Sequence, residues 1–325
     1  MWWALSLARE CSPSRELTVQ SGRMRVLLTG ATGFVGSHML ARLVADGHQI
    51  RAVVRNPEQL KPPDGPGHVE AIAGDVVTGA GLSQAAQGCE AAIHLVGIIM
   101  EAGNATFEKV HHRGTINIVN AAREAGVRRF VQMSALGARP DGVSGYQRTK
   151  WAAEEAVRSS GMEWVILRPS IIFGPRDGFV TQMVEVMRSA PLVRPVPGHG
   201  RYPFRPVYVA DVVECFAQSL TNREVIRQTT ALVGGKELTL NDLLATIAEC
   251  IGVTKPAVHV PFPLMYMNAA ILGAILRRPP VTTDQLRMLR EGSTADPEPM
   301  KRMFHLNPTG FREGLKKYLC QPATK

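Results

Sequence analysis

The stretch Arg25-Val26-Leu27-Leu28-Thr29-Gly30-Ala31-Thr32-Gly33-Phe34-Val35-Gly36-Ser37-His38-Met39-Leu40 decides the fold. It opens with a short apolar run of β-branched character, which reads as a buried strand. Three glycines follow at the spacing G-x-x-G-x-x-G, and Met39, Leu40, Leu43 and Val44 then continue at helical intervals. A strand, a glycine turn and a helix in direct succession suit a dinucleotide. Gly30 permits the tight turn, Gly33 lets backbone N–H groups approach a pyrophosphate, and Gly36 lets helix and strand pack closely. The positive end of the helix then faces the phosphates. Gly30, Thr32, Gly33, Phe34, Val35 and Gly36 are the cofactor-binding residues expected from this turn.

Working outward, Asp46-Gly47-His48 ends the first helix and residues 49–55 read as a second strand. A site for NAD(H) usually carries Asp or Glu about 20 residues past the glycines, to hold the ribose 2′-hydroxyl. Here the strand ends in Arg55 with no carboxylate beside it. A guanidinium suits a 2′-phosphate, so NADP(H) is favoured over NAD(H); the plainer reading makes Arg55 a surface residue. A third strand over 68–74 ends in Asp75-Val76, a pair placed to meet the adenine, although Asp75 equally suits the cap of a turn. The run 91–97 is continuous and apolar, as a central parallel strand should be. Val96 and Gly97 stand at its C-terminal end, where ligands approach such sheets. A helix over 105–125 and a fifth strand over 127–134 continue the alternation, and a sixth strand over 163–167 leads into Arg168-Pro169. Strands alternating with helices predict an α/β fold, a doubly wound parallel sheet with helices on both faces.

The 325 residues suffice for one large domain or two closely joined ones. The expected division is an extension over 1–23, predicted disordered, a dinucleotide-binding domain over 24–175, and a smaller, mostly helical substrate or partner lobe over 176–325. Within that lobe, 207–234 is expected to return to the main sheet. The net charge of +9 is spread along the chain in pairs such as Arg128-Arg129, Arg277-Arg278 and Lys316-Lys317. That pattern reads as a solvated basic surface and argues against nucleic acid as a partner. A preference for an anionic membrane surface or a phosphorylated ligand is compatible with it. The five cysteines are widely spaced without a C-x-x-C pair, which argues against a disulfide framework or a zinc site and fits a reducing compartment. His111 and His112 are adjacent and so make a poor metal pair; no metal is expected.

The chemistry-bearing candidate lies just beyond the fifth strand. Tyr146 and Lys150 are four apart at the start of a helix and share one face. A phenol is a poor acid–base group at neutral pH. A neighbouring ammonium favours the phenolate and brings it towards the operating range. Such a pair can protonate a carbonyl as hydride arrives, or deprotonate an alcohol as hydride leaves.

Taken together, Thr29 to Gly36, Gly74-Asp75-Val76, Gly114-Thr115, Tyr146 with Lys150, Leu167-Arg168-Pro169, Phe173-Gly174-Pro175 and Val207 to Val212 resemble the extended or atypical short-chain dehydrogenase/reductase superfamily, the NAD-dependent epimerase/dehydratase group. Within it, His94 to Ile99, Ser134 to Ala138 and Val281 to Gln285 are similar to the branch of the nucleotide-binding accessory subunit of respiratory complex I and its bacterial relatives. The resemblance implies cofactor contacts at Lys150 and near Pro169, with the segment from Ile171 to Pro175 against the nicotinamide. The catalytic Ser or Thr of that family falls at about Ala135. Ser134 is one residue early, and a one-residue slip on a strand turns a side chain to the other face. Ser134 is retained as the third catalytic candidate, with Ser144 as its substitute. His111 stands where relatives often carry asparagine.

Arg201 and Arg205 flank a Pro/Gly-rich loop and suit either an anionic substrate group or plain surface. The apolar run from Leu264 to Leu276, followed by Arg277-Arg278, is too short to span a bilayer. Three readings compete for it: a core helix of the lobe, which is the default, a docking surface for a partner, or a helix lying in a membrane interface. Two functions follow. The first is an NADP(H)-dependent oxidoreductase or redox isomerase acting on a small molecule. The second is a non-catalytic NADP(H)-holding accessory subunit of a respiratory NADH:quinone oxidoreductase. The expected compartment is the cytoplasm, with the inner-membrane periphery as the alternative.

Overall fold

A computed structural model of the chain describes residues 22–276 and 279–320; the extension predicted over 1–23 falls almost wholly outside them. The first half alternates strands and helices except between its second and third strands: β1 (Arg25–Thr29), α1 (Phe34–Ala45), β2 (Gln49–Val54), β3 (His68–Ala73), α2 (Leu82–Ala86), β4 (Ala91–His94), α3 (Gly114–Glu124), β5 (Arg129–Met133), α4 (Gly145–Arg158) and β6 (Glu163–Pro169). The second half is less regular, with β7 (Ile172–Phe173), α5 (Phe179–Ser189), β8 (Arg194–Pro197), β9 (Pro203–Phe204), β10 (Val207–Tyr208), α6 (Val209–Gln218), β11 (Gln228–Leu232) and β12 (Leu238–Thr239). It closes with α7 (Leu240–Cys250), β13 (Ala257–Val260), α8 (Phe262–Ile275), α9 (Thr283–Glu291), α10 (Glu298–Phe304) and α11 (Phe311–Lys316).

Seven parallel strands make the main sheet in the order β11-β6-β5-β4-β1-β2-β3. The chain runs outward from β1 through β3, then crosses back to place β4 beside β1. Strand order reverses between those two, and a ligand crevice opens at their C-terminal ends. Alternate residues of each strand face opposite layers. Val26 and Leu28 join the core under α1 and α6, whereas Leu27, Ala92, Phe130 and Ile166 join the core under α2, α3 and α4.

The sequence expectations and the structure part at several places. The predicted helix over 105–125 begins with a π-helical turn, Glu108–Arg113, before becoming α3. Cys250 and Cys320, read as free thiols, are disulfide-bonded with Cα atoms 4.5 Å apart. They are 70 residues apart in sequence, and only the return of the C-terminal segment past α11 to the end of α7 brings them together. Cys89 and Cys215 are free and buried. The run from Leu264 onward is not core: α8 buries only Phe262 and Ala269. Among the described residues no helix is long and apolar enough to cross a membrane.

Candidate active site

The crevice begins at the glycine turn. Gly30 has φ of +81°, and a Cβ there would meet the Leu95 carbonyl carbon and the Val96 nitrogen at 3.1 Å. Gly36 allows no side chain, since a Cβ would lie 1.9 Å from the Gly30 oxygen. The Gly33 N–H donates to the Gly30 carbonyl at 3.0 Å and so closes the turn. No side chain caps α1, and its first turn carries no acidic residue. The N–H groups of Phe34, Val35 and Gly36 therefore face the crevice with the positive end of the helix behind them. Thr32 is exposed beside them and Val35 is buried beneath. This is a cradle shaped and charged for a pyrophosphate.

The rim on one side comes from β2 and β3. Thr29 pairs with Val53, so Arg55, two residues on, stands level with the glycine turn. It is exposed and forms no hydrogen bond or ion pair among the described residues. Arg51 differs: it binds Glu70 and the carbonyls of Gln84 and Gln87. Asp75 accepts the Val77 N–H at 2.8 Å, a turn-capping bond that uses one carboxylate oxygen. Val76 is buried against Gly114 at the start of α3.

On the other side stands α4, capped by Ser144, whose hydroxyl accepts the Gln147 N–H. Tyr146 and Lys150 sit one turn apart on its inward face, and the Lys150 ammonium lies 6.0 Å from the centre of the Tyr146 ring. It donates to the Met133 carbonyl at 3.1 Å. A Cβ on Gly97 would come within 3.0 Å of that ammonium and 3.6 Å of His111 Nε2. Tyr146, Lys150, Gly97 and His111 are thus gathered at the end of β4, beside the glycine turn. Pro169, at the end of β6, is buried and accepts the Leu136 N–H.

Burial governs the titration of this cluster. It pushes the Tyr146 phenol up to about 12 and the Lys150 ammonium down to about 8, against the opposing pull of Glu154. The expectation of a depressed phenol is therefore reversed here, because burial of the Tyr146 ring disfavours the phenolate. His111 is lowered to about 2 by burial and then by Lys150, and is neutral. Its Nε2 accepts the Ile98 N–H at 3.0 Å, so the ring proton sits on Nδ1, 3.0 Å from Thr149 Oγ1. Its ring also stands edge-on to Tyr146, with centroids 5.2 Å apart. His111 thereby ties the β4 loop, the π-helical turn and α4 together. Sequence spacing held no signal of this beyond the departure from asparagine.

Ser134 is not brought to the cluster. Its hydroxyl donates to the buried Glu154 at 2.5 Å, and Glu154 also takes both arms of Arg168 and one of Arg158. The slip by one residue has the consequence its parity implies: Ser134 faces the ion cluster. Ser144 is engaged as a helix cap. Arg205 is tied to Thr294 and to the Gly235 carbonyl; Arg201 is exposed.

Beyond Gly97 lies a cleft of about 480 Å³ with a mixed lining, Ile99, Met100, Val186, Pro279 and Pro280 facing Gln182, Glu185, Ser189 and Gln285. It adjoins the cluster through two contacts. Ile98 is held by His111, and Asp284 accepts the Gly145 N–H at 2.9 Å, next to Tyr146.

A family model described as NAD(P)H-binding matches residues 30–189. Ceramide reductase of Caulobacter vibrioides is 35% identical over 168 residues, 52% of each chain. Sterol demethylase protein B of Methylococcus capsulatus is 29% identical over 89% of this chain and 95% of its own length. Subunit 9 of the NADH dehydrogenase [ubiquinone] 1 alpha subcomplex of Arabidopsis thaliana is 29% identical over 74% of this chain and 61% of its own. The chain therefore spans about half the length of the first relative and under two thirds of the third. Among solved structures, MoeE5 in complex with UDP-glucuronic acid and NAD shares the fold, with a TM-score of 0.69, 24% identity, and coverage of 90% of this chain and 96% of that one. The sheet order and the glycine cradle agree with the NAD(P)H-binding model over residues 30–189, and the chain is similar to reductases and to a respiratory-complex subunit over most of its length.

Proposed function

We propose that this chain is an NADP(H)-dependent reductase of a carbonyl compound bearing a large apolar part. The observation that carries the reading is the meeting of Tyr146, Lys150 and Gly97 beside the glycine cradle. The cradle residues Gly30 to Gly36 would hold the pyrophosphate and Arg55 the 2′-phosphate. When bound, the cofactor supplies the hydride. The Tyr146 hydroxyl donates its proton to the carbonyl oxygen as negative charge develops there, and a phenol pushed up to about 12 arrives protonated at neutral pH. The Lys150 ammonium, held by the Met133 carbonyl, would turn to the cofactor ribose and to the phenolate once cofactor and substrate are bound. With Ala135 at about the position where the resemblance implies a Ser or Thr, Tyr146 would be the main hydrogen-bond donor to the substrate oxygen. The names of the ceramide and sterol relatives support an apolar substrate.

Tyr146→Phe should lower turnover roughly 10²–10⁴-fold while NADPH affinity stays nearly constant. Survival of turnover overturns the assignment. In the same assay, Arg55→Asp should weaken NADPH far more than NADH; equal losses would remove Arg55 from the 2′-phosphate.

The second reading is a cofactor-holding accessory subunit of a respiratory NADH:quinone oxidoreductase. The engagement of Ser134 by Glu154 and the Arabidopsis relative favour it. Fractionation of host membranes after mild detergent extraction separates the two. Co-migration in fixed proportion with NADH-oxidising activity supports the subunit, and a free protein supports the enzyme.

A further inference from the structure

The segment Val281 to Gln285 opens helix α9. Thr282 caps it, its hydroxyl accepting the Gln285 N–H while the Gln285 side chain accepts the Thr282 N–H. Asp284 and Glu291 are seven residues apart on α9, close to two turns, and so project from one face. That face meets the first turn of α4. Asp284 Oδ2 accepts the Gly145 N–H at 2.9 Å. Glu291 Oε2 accepts the Gln147 side-chain N–H at 2.6 Å, and its other oxygen takes the guanidinium of Arg139, in the loop before α4, at 2.5 Å. Tyr146 is the residue between these two attachments.

The first turn is the part of a helix that its own hydrogen bonds hold least, since its N–H groups have no partner within the helix. In α4 that turn carries no acidic residue. Ser144 serves the Gln147 N–H, and the Gly145 N–H is served from outside, by α9. The loop before α4 wraps closely round the Gln147 side chain: a Cβ on Gly137 or Gly142 would come within 2.6 Å of it. Helix α9 is itself anchored at both ends. Pro280, before it, accepts the Gln182 amide at 2.5 Å. Ser293, after it, accepts the hydroxyl of Ser170, just past β6, at 2.9 Å.

We propose that Asp284 and Glu291 are positioning residues for Tyr146, clasping the first turn of α4 to α9 and so fixing where the phenol hydroxyl stands. The proposal rests on the reading of Tyr146 as the proton donor. Phe107 and His111 stand edge-on to the Tyr146 ring, with centroids 5.9 and 5.2 Å away; the clasp acts instead on the backbone that carries it. A tilt of that turn is carried to the far end of the side chain, and a misplacement of about 1 Å can cost roughly 100-fold in rate. Each carboxylate accepts with its charge, which makes these bonds stronger than neutral ones. Gln285, next to Asp284, lines the cleft, so the helix that holds the acid in place also forms part of the wall a substrate would meet. The two side chains keep 24% and 29% exposure, so their loss should displace the turn without unfolding the chain.

The test uses the full chain with NADPH, phenanthrenequinone as a large apolar carbonyl probe, and tyrosine isotope-labelled at Cζ for magnetic resonance. The Tyr146 resonance is the one missing from Tyr146→Phe. Asp284→Ala combined with Glu291→Ala should lower kcat at least tenfold, with KM, NADPH affinity and circular dichroism nearly unchanged. It should also broaden or double the Tyr146 resonance while those of Tyr208 and Tyr318 stay as in the wild type. The resonance reads the position of the turn whether or not the probe is reduced. Asp284→Asn combined with Glu291→Gln, whose amide oxygens still accept, should restore most of the rate and a single Tyr146 resonance. An unchanged Tyr146 resonance in the alanine variant overturns the proposal, whatever happens to kcat, and leaves the proton-donor reading in place. Wild-type turnover in Tyr146→Phe removes that reading, and the proposal with it.

Discussion

Helices α1 and α8 are of similar length, 12 and 14 residues, but the fold buries them very differently. In α1, Val35, Gly36, Met39, Leu40, Leu43 and Val44 are buried, and the polar positions Ser37, His38 and Arg42 lie between them. In α8 only Phe262 and Ala269 are buried, Met265 and Tyr266 pack partly on the core, and Leu264, Met267, Ile271 and Ile275 are exposed without a polar side to balance them. The first helix is explained by contacts inside the chain. The second is left largely uncovered by those contacts. A helix that is apolar all round either sits in a core or meets a non-aqueous surrounding.

Substitutions can break this contrast or sharpen it. The largest effect is expected at Leu43, fully buried in α1. Leu43→Ala should cost about 3 kcal/mol in urea unfolding, and a small cost would mean that the α1 face is loosely packed. Gly36→Ala comes next, at about 2 kcal/mol, because the clashing Gly30 atoms belong to the backbone and cannot turn aside. The same substitution should weaken NADPH binding at least tenfold by isothermal titration.

A third effect depends on pH and belongs to the buried site alone. Burial holds Lys150 at about 8 in the folded chain, below its ordinary value of 10.5. Between those two values the unfolded chain binds more protons, so stability should rise as pH climbs from about 8 towards 10.5. Lys150→Met should remove that rise, measured as unfolding midpoints across the range. At the smallest end stands α8. A Cβ at Gly273 meets nothing within 4 Å, so Gly273→Ala should stabilise the soluble protein by about 1 kcal/mol. Ile271→Ala should change it by less than about 0.5 kcal/mol. A large loss at either position would show that this apolar face is covered in solution.

The same contrast explains what could be read from the sequence. The glycine turn, the alternation of strands and helices, and the spacing of Tyr146 to Lys150 are local patterns, set within one or two turns of chain. They were legible for that reason. The direction of the Tyr146 shift was not, because it depends on how deeply the fold buries the phenol, which elements distant in sequence decide. The orientation of Ser134 was written in its parity, but its partner Glu154 lies 20 residues away. The exposure of α8 was hidden because an apolar run looks alike whether it faces a core or a surface.

The bond between Cys250 and Cys320 has a topological consequence. It closes the segment holding β13, α8, α9, α10 and α11 into a covalent ring hung from the end of α7. A protease that cuts once within that ring opens the loop without releasing a fragment. The nicked chain would stay whole by mass until a reductant is added, and only then separate into two pieces.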